Sequence, residues 1–580
     1  MAARRAGRRF SPSHLRLAAL GVGLVLAWVA MGGRLYQVQV VDAAELADLG
    51  LEQRLTTREL APQRGNIFDR NGDPMAMTVE AESLFVVPQE VTEPVFVAQQ
   101  VGGLLGLDQG TVLDELRSDK TFVYLKRQVE LDLASQVTSL ELAGVYSHDE
   151  AKRVYPTNTI ASHVVGFVDI DGVGKEGLEY EFNDSLRGIP GEVMFERAPD
   201  GTPIPWARSE TTPAVAGSDL VTTIDLPIQY AAERACVDTL QETGAEGCWI
   251  VALEVETGEV LAMAGAPEFD PATRQGADGQ PFSNFIVRGT YEPGSTQKLI
   301  SVAGAIEEGV VSPETVIDEV GDFIELRPQA CVRIDDDIFG CYRDFDPHAV
   351  EDMTVADIFR SSSNVGTIRI AQLLPSGTIP EYMERFGLGQ QTGIDYSGEA
   401  AGLIGMDASC EVCPLSAAIG YGIAVTPMQM AAAYAAVAND GLWVQPHLVA
   451  SHGEADGSVV PVEPATHQVV SADTAWVMRH LLAGVVESGT GHRAQVPGYR
   501  VGGKTGTANK LGEDGRYTDL TIASFVGMAP IDDPKVVVAV VVDNPSFEYR
   551  TGGLAAAPAF SAVMEQALHR LAVTPDGDDG

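Results

Sequence analysis

The chain has 580 residues, 45% of them hydrophobic, which is enough for two or three domains with sizeable cores. Its formal net charge of -42 argues against nucleic acid as a partner, because the phosphates would be repelled. The acidity mainly favours solubility.

Positive charge is concentrated at the N-terminus. Residues 1–16 contain arginines and no acid, and a charge-free apolar run follows at Leu17–Gly33. This run is at the short end of what spans a membrane. A cleaved signal peptide is the alternative, because Ala30-Met31-Gly32 is a small-x-small site. The apolar run continues into an amphipathic stretch, so we expect an uncleaved single-pass anchor over 17–37. The basic tail would then be cytoplasmic and the bulk of the chain extracytoplasmic.

The next part of the chain predicts a mixed α+β region without a catalytic constellation. Asn71-Gly72 is a strong hairpin signal. His163 stands alone, so we interpret it as structural. The remaining elements are an amphipathic helix over Leu35–Arg58, strands at Ser83–Pro88 and Phe122–Leu125, helices within Thr92–Arg117 and over Leu131–Leu140, and a linker at Thr211–Ser218.

The second half predicts helices around a largely antiparallel sheet. Glu256-Thr257-Gly258 joins two alternating segments as a hairpin. The strands are Leu220–Ile224, Cys248–Val255, Glu259–Gly265, Ile522–Val526 and Val536–Val542, and the helices are Ile228–Glu242, Met428–Asn439, Thr474–Glu487 and Ala557–Leu571.

The cysteines all fall on the predicted outside, where an even number favours disulfides. Neighbours in sequence are the simplest pairing, and free buried thiols are the alternative. Cys410 and Cys413 have zinc-pair spacing, but no second close pair or histidine cluster accompanies them. The acidic loop Asp335–Asp337 lacks calcium-loop spacing, so the sequence predicts no metal and no cofactor. The six are Cys236, Cys248, Cys331, Cys341, Cys410 and Cys413.

Ser295 and Lys298 form the first candidate catalytic pair. The turn Pro293-Gly294 leads into a predicted helix from Ser295 to about Glu308. Residues three apart share a face of a helix, and a serine nucleophile needs a base within hydrogen-bond distance. A lysine whose pKa is lowered by burial and by a nearby cation can be that base.

Two further motifs complete a constellation. Ser362-Ser363-Asn364 interrupts a helical pattern between Met353–Arg360 and Thr367–Leu374, and Lys504-Thr505-Gly506-Thr507 follows in a strand-compatible context. The trio of Ser-x-x-Lys, Ser-x-Asn and Lys-Thr-Gly is typical of penicillin-binding proteins and class A β-lactamases. Gly498–Thr505 also matches a phosphate-loop pattern, but no strand-loop-helix arrangement surrounds it.

The residue types fit acyl transfer. Ser295 would attack a carbonyl, Lys298 would take its proton, and Ser362 would relay the proton to the leaving amine. Asn364 would hold Lys298 and the substrate amide. Lys504 would lower the pKa of its neighbours by its charge. The substrate-binding residues are Thr505, Gly506 and Thr507, and Thr505 and Thr507 would bind a substrate carboxylate together with the catalytic Lys504. Gly503 and Gly506 would let the strand approach the substrate closely. The backbone N–H groups of Ser295 and Thr507 would form an oxyanion hole.

With these motifs the chain resembles the class B penicillin-binding proteins, and among them the FtsI-like cell-division transpeptidases. The resemblance covers nearly the whole chain. The segment Arg64–Gly72 and the run from Arg153 through His163 to Glu179 resemble the family's pedestal signature, and Phe122–Gln128 and Val165–Asp169 look FtsI-like.

The resemblance implies five segments and an enzyme. The segments are a basic tail at 1–16, an anchor at 17–37, an elongated α+β pedestal at 38–213, a β-lactamase-like transpeptidase domain at 214–573 and a polar tail at 574–580. The implied enzyme is a septal peptidoglycan D,D-transpeptidase that acts on D-Ala-D-Ala stem peptides and is acylated by β-lactams at Ser295. Implied partners are an FtsW-like SEDS glycosyltransferase and other divisome membrane proteins.

Other functions share parts of the pattern. An elongation-specific class B protein would carry the same trio. A scaffold that activates the glycosyltransferase would need the pedestal but not the chemistry. A secreted β-lactamase would need a deacylating base and a shorter chain, and a β-lactam sensor would need a larger cytoplasmic segment than 1–16.

Overall fold

A computed structural model describes residues 12–198, 202, 204, 206, 209–274, 282–326, 341–405, 410–453, 459–512 and 517–576. The predictions for Arg4 to Arg9, Cys331, the Asp335–Asp337 loop and most of the polar tail lie outside these residues. The chain forms two compact units: one contains residues up to Pro62 together with Ile189–Ala216, and the other contains Gln63–Gly188 together with the chain from Gly217.

The helices are, in chain order, α1 Pro12–Tyr36, α2 Ala43–Arg54, α3 Pro94–Leu105, α4 Gln109–Leu116, α5 Leu131–Thr138, α6 Ser162–Val165, α7 Gly177–Glu181, α8 Asn183–Arg187, α9 Leu226–Thr243, α10 Phe285–Arg288, α11 Lys298–Glu307, α12 Val355–Ser361, α13 Asn364–Gln372, α14 Thr378–Arg385, α15 Cys413–Ala417, α16 Pro427–Ala438, α17 Ala472–Ser488, α18 Gly552–Ala555 and α19 Ala557–Arg570.

The strands are β1 Leu55–Leu60, β2 Ile67–Phe68, β3 Pro74–Val86, β4 Val123–Val129, β5 Val145–Val154, β6 Phe167–Val168, β7 Gly174–Glu176, β8 Gly191–Glu196, β9 Ser209–Thr212, β10 Leu220–Thr222, β11 Gly247–Glu254, β12 Val260–Ala266, β13 Val316–Val320, β14 Phe323–Glu325, β15 Cys341–Arg343, β16 Glu351–Thr354, β17 Leu442–Val444, β18 Val449–Gly453, β19 Val459–Pro461, β20 Thr466–Gln468, β21 Gly502–Leu511, β22 Tyr517–Ala529 and β23 Val536–Asp543.

The first unit holds the apolar helix. Within the described residues, one helical segment is long and apolar enough to cross a membrane, Pro12–Val41, with a mean hydropathy of 1.9 and exposed side chains. This finding is consistent with a single-pass anchor. A three-stranded antiparallel sheet in the order β1-β8-β9 completes the unit.

Two predictions in this unit were wrong in detail. The helix expected over Leu35–Arg58 ends at Arg54, because the chain then becomes β1, which pairs antiparallel with β8. Part of the expected linker Thr211–Ser218 is ordered as the end of β9, where Thr211 pairs with Val193. Strand pairing with residues distant in sequence overrides the local pattern at both places.

In the second unit, residues 63–188 form an α+β region beside the catalytic part. β3 pairs with β4 and β5, and α3, α4 and α5 cover one face of these strands. The predicted hairpin at Asn71-Gly72 joins β2 to β3. The parallel pair β2–β10 carries this sheet into the chain that follows residue 217.

The chain from Gly217 onward carries the candidate catalytic motifs and is organised around a five-stranded antiparallel sheet in the order β12-β11-β23-β22-β21. Helices cover both faces of this sheet, because successive side chains of β23 pack alternately into two different cores. Val538 and Val540 pack in the core with α9 and α19, whereas Val537 and Ala539 pack in the core that contains α11 and α16. The predicted fold class, an antiparallel sheet flanked by helices, is confirmed.

The predicted disulfides are confirmed for the cysteines that the structure describes. Disulfides join Cys236 to Cys248 and Cys410 to Cys413, both neighbours in sequence. Cys341 is also disulfide-bonded. The predicted pairing of Cys331 lies outside the described residues.

Candidate active site

Ser295 lies where a tight turn meets the start of α11. Gly294–Gln297 form one turn of 3-10 helix, and the α-helix begins only at Lys298, so the predicted single helix is wrong for its first turn. In a 3-10 turn, side chains three residues apart eclipse each other. Ser295 and Lys298 therefore share a face, as their spacing predicts. Ser295 is half-buried and Lys298 is fully buried.

The turn brings the backbone at Ser295 against strand β21. Gly294 has a φ of 53°, and a Cβ there would lie 2.8 Å from the Thr507 carbonyl oxygen. Its N–H donates to Gly420 O at 3.2 Å. Only glycine fits both the left-handed conformation and this close approach. The Pro293-Gly294 turn is therefore the device that places the nucleophile beside the strand of the Lys-Thr-Gly motif.

The Ser-x-Asn motif lies between α12 and α13. Ser362 is left-handed, with a φ of 63°, and ends α12, while the Ser363 hydroxyl accepts from the Gly366 N–H at 2.8 Å and caps α13. A left-handed residue followed by an extended one therefore separates the two helices. Ser362 and Asn364 consequently face Lys298 together.

Lys298 donates to both residues of this motif. Its Nζ lies 2.6 Å from Ser362 O, 2.7 Å from Asn364 Oδ1 and 3.4 Å from Ser362 Oγ. These are its hydrogen-bond acceptors among the described residues, and Ser295 is not one of them. Catalytic hydrogen bonds often close only in the complex with substrate.

Lys504 completes the cluster from β21. Its Nζ donates to Ser362 Oγ at 2.8 Å, so the Ser362 hydroxyl stands between the two lysines. The structure thus brings together Lys298, Ser362, Asn364 and Lys504 from three distant segments of the chain. Both lysine side chains are fully buried.

Burial controls the charge of both lysines. Desolvation lowers the pKa of Lys298 to about 7, and the Asp344 carboxylate opposes this shift. Desolvation, followed by the charge of Lys298, lowers the pKa of Lys504 well below its usual range. We expected burial and a nearby cation to lower the pKa of Lys298. Burial is the cause of the lowering, because a fully buried ammonium loses its hydration, and the charge that acts on Lys298 is the opposing one of Asp344.

The other motif positions have identifiable contacts. The Thr505 hydroxyl pairs with the Thr490 hydroxyl at 2.7 Å, and Thr507 Oγ1 accepts from the Gly552 N–H at 3.3 Å. A Cβ on Gly506 would lie 2.3 Å from Ser524 Oγ, and one on Gly503 would lie 2.4 Å from the Phe525 ring. Close packing inside the protein therefore accounts for both glycines, and room for substrate is not needed to explain them.

Sequence reasoning missed several groups that support the site. Asp344 accepts three hydrogen bonds from the Ser-x-Asn motif and the residue after it. Tyr434 donates to Thr296 O at 2.9 Å beneath the nucleophile's turn. No motif signals these residues, because their partners are distant in sequence. His163, by contrast, has the structural place that we expected: its ring packs against Phe269 and bonds Pro267 O, and burial lowers its pKa.

Comparison with known proteins agrees with this geometry. The family model of the penicillin-binding protein transpeptidase domain matches residues 248–565, and that of the penicillin-binding protein dimerisation domain matches residues 59–222. Stage V sporulation protein D of Bacillus subtilis is 34% identical over 95% of this chain and 85% of its own length. The peptidoglycan D,D-transpeptidase FtsI of Escherichia coli is 30% identical over 97% of this chain and 92% of its own.

The solved structures give the same result. The crystal structure of penicillin-binding protein 3 from Mycobacterium tuberculosis, complexed with aztreonam, superposes with a TM-score of 0.69 at 29% identity. It covers 90% of this chain and 98% of that one. Fold and constellation together define a penicillin-binding serine transpeptidase. Within that class, the chain belongs to the class B penicillin-binding proteins, and its activity is that of a peptidoglycan D,D-transpeptidase.

Proposed function

We propose that the protein crosslinks septal peptidoglycan through an acyl-enzyme at Ser295. One observation carries this proposal: Lys298 makes two short donated hydrogen bonds, to Ser362 O and Asn364 Oδ1. A neutral amine has two N–H bonds and one lone pair. If both N–H bonds are used in this way, the lone pair is free to accept the proton of Ser295.

Acylation then follows from the positions of these groups. Ser295 Oγ attacks the carbonyl carbon of the penultimate D-Ala, its proton passes to Lys298 Nζ, and a C–O bond forms. The peptide C–N bond breaks, and the leaving D-Ala amine takes a proton through the Ser362 hydroxyl. That hydroxyl lies 3.4 Å from Lys298 Nζ and 2.8 Å from Lys504 Nζ, which suits a relay between the two amines.

The remaining motif residues would bind the substrate. The backbone N–H groups of Ser295 and Thr507 would hold the developing oxyanion, where loss of one donor typically costs about 3–4 kcal/mol. The terminal carboxylate of the stem peptide would bind Lys504 with Thr505 and Thr507. A carboxylate there favours the ammonium form of Lys504, so substrate binding would restore the charge that burial disfavours.

The second half of the reaction transfers the acyl group. The amine of a neighbouring stem peptide attacks the ester carbonyl, Ser295 leaves as the hydroxyl, and the new amide is the crosslink. A β-lactam would acylate Ser295 in the same way as its ring opens, and the resulting ester would be hydrolysed slowly. The aztreonam complex of the Mycobacterium tuberculosis protein supports this part of the proposal.

Labelling with a fluorescent penicillin tests the proposal. The full-length chain in detergent micelles should form a long-lived covalent adduct, and Ser295→Ala should form none. Ser361→Ala is the matched control, because among the described residues its hydroxyl bonds the backbone of its own helix alone, at Asp357 O and Ile358 O. A folded wild type that does not label, or a Ser295→Ala variant that does, would contradict the proposal. Rapid loss of the label would indicate a β-lactamase.

A septal role rests on sequence similarity. The FtsI-like runs Phe122–Gln128 and Val165–Asp169, together with the similarity to FtsI of Escherichia coli, are our grounds for preferring a division role to the elongation alternative. Depletion in the native host should therefore give filaments with blocked septa, and a fluorescent fusion should collect at midcell. Rounded cells with lateral localisation would favour the elongation role instead.

We propose that the anchor places the basic tail in the cytoplasm and the catalytic part outside. The apolar exposed helix and the N-terminal arginines support this orientation. The partner would be an FtsW-like SEDS glycosyltransferase, bound through the span and the pedestal. Site-specific photocrosslinkers along the outer faces of α1 should capture that protein. Capture only at positions in the catalytic part would argue against this contact.

A further inference from the structure

Asp344 and the carbonyl of Arg343 contact the Ser-x-Asn motif from a strand end that no motif identifies. We infer that they form a clamp, defined here as Arg343 O plus the Asp344 carboxylate, that positions Asn364 and Ser362 for catalysis. In this view Asp344 is a positioning residue of the known reaction and does not touch substrate. The inference rests on the acyl-enzyme proposed above.

The carboxylate holds the motif's backbone and its capping hydroxyl. Asp344 Oδ1 accepts from the Asn364 N–H at 2.5 Å and from the Val365 N–H at 3.0 Å, and Oδ2 accepts from Ser363 Oγ at 2.6 Å. The Asp344 side chain is 6% exposed. Three donors on one buried carboxylate fix the start of α13, and therefore the position of both catalytic side chains beside it.

The Arg343 carbonyl sets the orientation of the Asn364 amide. Asn364 Nδ2 donates to Arg343 O at 2.7 Å, which turns Oδ1 towards Lys298 Nζ, also at 2.7 Å. A flipped amide would direct N–H groups at the lysine and repel it. The clamp therefore determines that Lys298 meets an acceptor, which is the arrangement that leaves the lysine lone pair for Ser295.

The clamp is itself fixed in place. Arg343 is the last residue of β15, which pairs antiparallel with β14, and Cys341 at the start of β15 is disulfide-bonded. His348 Nε2 lies 3.1 Å from Asp344 Oδ2, the oxygen that also accepts from Ser363 Oγ. A positioning group needs such support, because a loosely held one would not restrict the catalytic geometry.

The clamp also has an electrostatic effect that a purely structural cap would lack. Among the described residues, the Asp344 carboxylate is the charged group that raises the pKa of Lys298. The charge of Lys298 in turn lowers the pKa of Lys504. The negative charge of Asp344 favours the ammonium form of Lys298. Its removal should shift the acidic limb of the pH–rate profile to lower pH.

The test is the second-order rate constant for acylation of the full-length, detergent-solubilised protein by a fluorescent penicillin, measured from about pH 5.5 to about pH 9. We expect Asp344→Ala to lower the rate about 100-fold, the usual effect of misplacing a catalytic group by about 1 Å. Asp344→Asn keeps an oxygen acceptor but loses the charge. It should lose less rate, and its acidic limb should lie at lower pH than that of the wild type.

Asp395→Asn is the matched control. Asp395 is a half-buried carboxylate that accepts two backbone N–H groups, from Leu448 at 2.6 Å and Val449 at 2.8 Å. Within the part of the chain that the structure describes, it bonds none of the site residues. Asp395→Asn should lower the melting temperature without shifting the acidic limb of the pH–rate profile for acylation.

The inference is overturned if folded Asp344→Ala acylates at the wild-type rate, or if the limb of Asp344→Asn coincides with that of the wild type. If Asp344→Ala does not fold, the pH at which the acidic limb of the Asp344→Asn rate profile lies decides whether the inference holds. Ser295→Ala separates the two proposals. Labelling that survives in Ser295→Ala overturns both, whereas Ser295-dependent labelling that ignores Asp344 overturns the clamp alone.

Discussion

Two clusters of buried charge in the same compact unit are built in opposite ways. In the 63–188 region, Glu179 is fully buried and each of its carboxylate oxygens lies 2.6 Å from a guanidinium nitrogen, of Arg64 and Arg153 respectively. In the catalytic site, Lys298 and Lys504 are also fully buried. Among the described residues, however, no carboxylate lies within ion-pair distance of either amine.

The difference teaches what each cluster is for. A buried carboxylate between two guanidiniums keeps its charge and joins three segments of the chain, which is a structural use of charge. Buried amines that contact only neutral oxygens lose stability in their ammonium form, so their pKa values fall. Groups with such displaced pKa values are typical of active sites. The unpaired cluster is therefore less favourable for folding and better suited to proton transfer.

Replacing Lys298 should separate these two uses most clearly. Lys298→Met keeps an unbranched side chain, one atom shorter, and removes the amine. Acylation by a fluorescent penicillin should fall about 1,000-fold, the effect of losing a general base. The melting temperature should stay the same or rise, because a buried unpaired charge is gone. A large fall in melting temperature, or labelling at the wild-type rate, would contradict the comparison.

The paired cluster should respond in the reverse sense. Glu179→Gln keeps the shape but leaves two buried guanidiniums without a counter-charge, which should lower the free energy of unfolding by about 3–5 kcal/mol. Urea denaturation measures this change. The folded fraction should still acylate at the native rate. Glu181→Gln, an exposed position on the same helix, is the control and should change neither quantity.

The clustering of the candidate catalytic motifs was the most predictable feature of the molecule. Ser295, Lys298, Ser362, Asn364 and Lys504 belong to short motifs whose chemistry depends on residue type and local spacing, so the motifs are readable without the fold. The antiparallel sheet was predictable for a similar reason. Its strands are long apolar runs such as Val536–Val542, whose burial on both faces leaves few other possibilities.

The supporting contacts were not predictable, because they depend on pairing across long sequence separations. Glu179 meets Arg64 from 115 residues away, and Asp344 meets Asn364 from 20 residues away. The chain has 81 acidic residues. The resemblance to the pedestal signature marks the run that contains Glu179 but not its partners, and nothing local marks Asp344. The predicted boundaries of helices and strands were wrong for the same reason. At Leu55, for example, the predicted helix ends because the chain pairs with Glu196 in a sheet.

The pH dependence of acylation should follow the unpaired cluster. Burial lowers the pKa of Lys298 to about 7, and only the neutral amine accepts a proton, so the rate should rise with pH through that value. From the neutral fraction we expect an increase of about fivefold between pH 6 and pH 7 and about twofold between pH 7 and pH 8. Stopped-flow acylation measures this rise. A rate that keeps rising tenfold per unit beyond pH 9 would show a lysine with an ordinary pKa.

The smallest effect should come from a guanidinium–carboxylate pair that has a similar N···O distance to those in the Glu179 cluster but is exposed to water. Arg127 Nη1 lies 2.8 Å from Asp171 Oδ1, and Asp171 is 67% exposed. Water already solvates this carboxylate, so Asp171→Ala should cost less than about 1 kcal/mol, and about 0.5 M NaCl should abolish the difference. Urea midpoints of Asp171→Ala and Glu179→Gln, measured side by side, isolate burial as the variable. If the two variants lose equal stability, contact geometry rather than burial sets the value of a charge pair in this protein.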